Sequence, residues 1–289
     1  MTNNGNILHD SLANTFWSSV TTRWRPIARF LICVSTLLLV TVAAQYSHAE
    51  SLKVAVASNF SGTMKRLVKQ FEQQTSHNVI VSYGSSGKLF AQIIHGAPFD
   101  LFLSADQELP SKLVALGHAD SSQQFTYALG RLVLWSADSN AIDENAARLK
   151  SGDYAHVALA NPRFAPYGRA AIETLNALGL VVSSESKLVQ GENVAQAYQF
   201  IHSGNAEMGF IALAQLYGEG LDRLDKRRQF HGSKWIVPDA LYSPIRQDLV
   251  VLNRGQAKQI AQQFFDFMRG DVATSIISKS GYSVSTNHD

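Results

Sequence analysis

Leu52-Lys53-Val54-Ala55-Val56-Ala57-Ser58-Asn59-Phe60 is the stretch on which the fold turns. Its first six residues read as a buried strand. Ser58-Asn59 then offers side chains that begin helices. From Phe60 to Gln74, Met64, Leu67, Val68 and Phe71 share one helical face. The same order recurs downstream. Val79 to Tyr83 reads as a second strand, and Ser86 to His95 as a second helix. Asp100 to Ser104 reads as a third strand, followed by a helix near Gln107 to Leu116. Strands alternating with short helices predict an α/β fold, with mixed, mostly parallel sheets and helices on both faces. In such sheets ligands bind at the C-terminal ends of strands, against helix starts. Ser58 and Ser86 both fall at that edge.

Leu129-Gly130-Arg131-Leu132-Val133-Leu134-Trp135 reads as one long strand crossing into a second lobe. That lobe would hold strands at His156 to Ala160 and Met208 to Leu213, with helices at Gly168 to Leu178 and Asn193 to His202. Ile245 to Leu252 reads as a strand returning to the first lobe. Ala257 to Met268 and Val272 to Ser278 read as closing helices.

Four helix starts share one chemistry: Ser58-Asn59, Ser85-Ser86-Gly87, Tyr167-Gly168 and Asn193-Val194. A helix start carries unpaired N–H groups and a partial positive charge, so it holds an anion without Lys or Arg. Pro166 leaves the Tyr167 amide without an intrahelical partner. Asn193 as N-cap with Gln196 three positions on spells a capping box, leaving Val194 its amide. Taken alone, the Ser58, Tyr167 and Asn193 motifs read sooner as a plain cap or turn, and the Ser85-Ser86-Gly87 motif reads either way. Four of them, spread over two halves of the chain, point to a pocket for a small oxyanion.

Other chemistries find less support. Asp100 and Asp106 could pair as catalytic carboxylates, but one reads as a strand start and the other as a cap. There is no His-Glu-x-x-His, and the histidines are scattered, so no metal site is expected. Ser85-Ser86-Gly87-Lys88 matches Ser-x-x-Lys, the nucleophile motif of β-lactamase-type hydrolases, without the Ser-Asp-Asn or Lys-Thr-Gly that accompany it. That hydrolase stands as the enzyme alternative to a binding protein.

The chain opens on a leader. Arg23, Arg25 and Arg29 precede an apolar run from Phe30 to Ala44, then Ser47-His48-Ala49. This is the order of a cleaved secretory signal. The alternative is a membrane anchor, for which the run falls short of the ~20 apolar residues of a span. Residues 1–49 are therefore expected to be removed, and the protein to work in the periplasm. The 25 basic residues then lose those three arginines and the 23 acidic ones lose Asp10, leaving a formally neutral protein with no nucleic-acid surface. The single cysteine, Cys33, also goes, so neither disulfides nor thiolate metal sites are expected.

These residues resemble the periplasmic molybdate-binding proteins (ModA family) that serve ABC transporters. The resemblance spans residues 51–283. It is carried by Val54 to Asn59, Tyr83 to Leu89, Gly96-Ala97-Pro98 through Asp106, Ala160-Asn161-Pro162 through Gly168, Glu192-Asn193-Val194 and Gly281-Tyr282. The run from Gly96 to Asp106 is its most specific part.

The resemblance implies a two-lobed periplasmic-binding-protein fold of type II with the ligand between the lobes. Residues 50–130 would form the first part of lobe 1, 131–242 lobe 2, and 243–289 the return to lobe 1. It further implies no enzymatic activity and no cofactor, a molybdate or tungstate ligand, an inner-membrane ABC permease as partner, and a monomer. The hydroxyl ligands would be Ser58 and Ser86, and the amide ligands Asn59, Tyr167 and Val194. One branch of the family adds a Tyr hydroxyl from a Gly-Ile-Val-Tyr strand. Here Gly209-Phe210-Ile211-Ala212 lacks it, and the Asn59 side chain is the candidate to compensate. A sulfate or other tetrahedral-oxyanion receptor is the alternative within the binding class.

Overall fold

Strand β1, Ser51–Ala57, is the centre from which the first lobe is built. Leu52, Val54, Ala55 and Val56 have no exposed surface, so the strand is covered on both faces, as parallel sheets require. The structure, a computed structural model, describes residues 51–217 and 231–284. The leader lies outside them.

A short 3-10 turn at Ser58–Phe60 leads from β1 into α1, Ser61–Thr75. Then come β2 (Asn78–Gly84), α2 (Ser86–Ile94), β3 (Leu101–Leu103), α3 (Glu108–Ala115) and β4 (Ala119–Gly130). The second sheet begins with β5 (Leu132–Ser136), followed by α4 (Ala147–Ser151), β6 (Val157–Ala160), α5 (Pro166–Ala177), α6 (Val181–Ser184), β7 (Leu188–Gly191), α7 (Val194–His202), β8 (Met208–Ala212) and β9 (Ser233–Ile236). Strand β10 (Ile245–Leu252) and helices α8 (Lys258–Arg269) and α9 (Asp271–Lys279) follow.

The first sheet runs β2-β1-β3-β10-β4 and the second β7-β6-β8-β5-β9. Strands β1, β2 and β3 are parallel, and β10 is antiparallel to both β3 and β4. In the second sheet β6 is parallel to β7 and β8, whereas β5 is antiparallel to β8 and β9. Met64, Leu67 and Phe71 of α1 pack with Phe264 of α8 on one face of the first sheet. Leu89 and Ile93 of α2 pack with Leu113 of α3 on the other. Ala171 and Leu175 of α5 and Ala197 and Ile201 of α7 share the core of the second lobe.

One expectation is overturned. Leu129 to Trp135 is not a continuous strand: it breaks at Arg131 between β4 and β5, which belong to different sheets. Strand β4 also starts ten residues earlier, at Ala119. Ser121, Ser122, Gln123 and Gln124 are polar and carry no alternating strand signal. They sit nonetheless on an edge strand whose outer part is exposed, and pairing with β10 satisfies the backbone. Asp100 precedes β3 rather than opening it. Strands β7 and β9 and helices α4 and α6 are short and were not foreseen.

Candidate functional site

The helix starts of both lobes meet at one small pocket of about 190 Å³, counting its open mouth. Ser58, Asn59, Ser85, Ser86, Tyr167 and Val194 all line it, and among the described residues no Lys, Arg, His, Asp or Glu does. The five residues expected from the sequence are therefore brought together.

Each is placed by a local rule. Ser58 and Asn59 open the turn after β1. Ser86 is the first residue of α2 and Tyr167 the second of α5, which starts on Pro166, where a missing N–H costs nothing. Val194 is the first residue of α7. The Asn193 side chain accepts from Ala195 N and Gln196 N, at 3.0 and 3.2 Å. First-turn amides lack intrahelical partners, and Ser86, Tyr167 and Val194, which stand at these helix starts, line the pocket. The capping box is skewed: Gln196 Oε1 accepts from Glu192 N, not from the cap residue's own amide. Gln215 braces the same corner, accepting from Ala212 N and donating to Val194 O.

Asn59 does not behave as the candidate substitute for the missing Tyr hydroxyl. Its Nδ2 donates to Gln247 Oε1 at 2.8 Å and to Tyr282 Oη at 3.0 Å. Tyr282 Oη donates back to Asn59 O. Both amide protons are committed to the fold, because a buried side-chain amide must find partners.

Gln247, fully buried in β10, is the residue the sequence reading missed. It accepts from Asn59, and its Nε2 donates to Tyr167 Oη at 3.3 Å. It therefore ties a helix start of the first lobe to one of the second. A glutamine inside an apolar strand was the available signal. Burial pushes the Tyr167, Tyr127 and Tyr282 phenols up, so they stay neutral hydrogen-bonding groups.

The lobes are closed over the pocket. Gly87 N donates to Phe164 O at 2.9 Å. Arg169 pairs with Asp106 at 2.6 Å and Lys88 with Glu192 at 2.9 Å. Asp106 also accepts from Leu109 N, the capping role expected of it. Asp100 accepts from Lys53 N and Ala257 N, a purely structural post. Lys88, the base a Ser-x-x-Lys hydrolase would need, is engaged by Glu192 at the surface and does not line the pocket. Among the described residues no cluster of three or more His, Cys, Asp or Glu could hold a metal ion.

Residues 52–283 match the family model for bacterial extracellular solute-binding proteins. The molybdate-binding protein ModA of Azotobacter vinelandii is 43% identical over 258 residues, covering 89% of this chain and 98% of that protein. The chain belongs to the ModA family. A second ModA, from Rhodobacter capsulatus, is 43% identical over 249 residues, or 86% of this chain and 94% of that one. The solved periplasmic molybdate-binding protein of Azotobacter vinelandii superposes with a TM-score of 0.76 at 40% identity, covering 81% of this chain and all of that chain. ModA membership makes this a solute-binding protein of the extracellular class, not a hydrolase.

Proposed function

We propose that the protein captures molybdate, or tungstate, outside the cytoplasmic membrane and delivers it to the permease of an ABC transporter. The observation that carries this reading is a pocket lined by residues of two lobes, with no charged side chain among the described residues of its lining. In this reading the Ser58 and Ser86 hydroxyls and the amides of Asn59, Tyr167 and Val194 donate to the anion. A hydrogen bond to a charged group contributes about 1.5–3 kcal/mol net. Several together, aimed in advance by helix starts, offset the desolvation of a dianion and the cost of closing the lobes. A lining of donors also disfavours a singly protonated anion, whose O–H would find no acceptor.

Binding then works by hinge closure about Gly130-Arg131 and Ser243-Pro244, the two places among the described residues where the chain passes between sheets. The anion engages both sets of donors only when the lobes meet. Residues 1–49 act as a signal peptide cleaved after Ala49, and mass spectrometry of the exported protein should find a chain starting at Glu50. Calorimetry with molybdate, tungstate, sulfate and phosphate tests the function. Molybdate and tungstate should bind one per chain and more tightly than the other two. Preference for sulfate or phosphate would make this a receptor for another oxyanion.

A further inference from the structure

Ser85 is the N-cap of α2, with φ −72° and ψ 143°, yet its side chain caps nothing. A serine there ordinarily accepts from the amide two or three residues on. The first of those, Gly87 N, donates instead across the cleft to Phe164 O. Gly87 permits that approach: a Cβ on it would lie 3.0 Å from Phe164 Cα and 3.2 Å from Phe164 O. The Ser85 hydroxyl is left buried, its residue 2% exposed, without a hydrogen-bond partner. Three buried side-chain polar atoms among the described residues lack partners, and this one alone belongs to a residue lining the pocket. Buried hydroxyls are nearly always satisfied, so an exception calls for an explanation.

We propose that Ser85 is a further ligand residue, whose hydroxyl donates to an oxygen of the bound oxyanion. The proposal rests on the oxyanion reading of the pocket. It also gives closure a local trigger. With the lobes apart, the Ser85 oxygen serves Gly87 N–H as an ordinary cap. When they meet, the Phe164 carbonyl takes over that amide, and the hydroxyl turns to the anion. Contact with Ser85 thus depends on the lobes having closed.

Molybdate titration calorimetry on the wild-type protein, Ser85→Ala and Ser85→Gly tests this, with a melting temperature for each ligand-free protein. Glycine is nearly as good an N-cap as serine, so Ser85→Gly removes the hydroxyl and keeps the fold. Both variants should bind about ten- to a hundredfold more weakly, and Ser85→Gly should melt like the wild type. Wild-type affinity in folded Ser85→Gly overturns the proposal while leaving the pocket reading in place. A wild-type protein that binds no oxyanion overturns both.

Discussion

Arg169 Nη2 lies 2.6 Å from Asp106 Oδ2, with the arginine on α5 of the second lobe and the aspartate after β3 of the first. The pair spans the cleft, so under the proposed hinge closure it forms when the lobes meet. The arginine side chain is 37% exposed, and pairs of that kind contribute about 0.2–1 kcal/mol. Arg169→Ala should therefore weaken oxyanion binding by up to about fivefold, through faster release rather than slower capture. Stopped-flow dissociation checks this. An unchanged off-rate would show that the pair plays no part in holding the lobes together.

Ser58→Ala and Ser86→Ala should each weaken molybdate binding by about 1.5–3 kcal/mol, ten- to a hundredfold. The two should differ in stability. Ser86 Oγ also accepts from Ala105 N at 3.0 Å, so Ser86→Ala should melt lower without ligand. Calorimetry and thermal denaturation separate the effects. Full affinity in either folded variant would reduce that serine to a cap.

Gly130 ends β4 where it faces Tyr167. A Cβ there would collide with Tyr167 Oη and sit 2.7 Å from Gln247 Nε2, so Gly130→Ala should oppose closure. Overpacking costs about 1–3 kcal/mol, which should appear mainly as lost affinity. Small-angle scattering should show the wild type compacting on saturation with molybdate and Gly130→Ala compacting less. Identical wild-type profiles with and without ligand would contradict hinge closure.

Binding should be insensitive to pH between about 6 and 9. Among the described residues Tyr167 is the one titratable residue in the lining, and burial raises its phenol. The raised phenols of Tyr127, Tyr167 and Tyr282 do affect stability. Their folded values lie above the ordinary value of about 10, so the native state keeps protons that the unfolded chain releases. Their contribution is full below that value and lost as pH rises beyond it. Melting temperatures should fall above about pH 10. A molybdate affinity that changes tenfold per pH unit near neutrality would place a titrating group in the pocket.

The sequence made the strand–helix edges legible because Ser58, Ser86, Tyr167 and Val194 obey local rules of capping and proline placement. It did not disclose Gln247, whose partners Asn59 and Tyr167 lie far away in the chain. Nor did it disclose the break at Arg131, since apolar residues on both sides spell one strand and only the two separate sheets divide it. Asn59 shows the limit most clearly. Its place in the pocket followed from its position after β1, whereas the direction of its side chain depended on Tyr282 at the other end of the chain.

The most direct test is a crystal structure grown with molybdate, with the metal located by its anomalous scattering. The signal should fall between the lobes, with the anion's oxygens at about 2.7–3.2 Å from the Ser58 and Ser86 hydroxyls and the Tyr167 and Val194 amides. Molybdenum held elsewhere, or contacted chiefly by lysine or arginine side chains, would contradict a pocket built from neutral donors at helix starts.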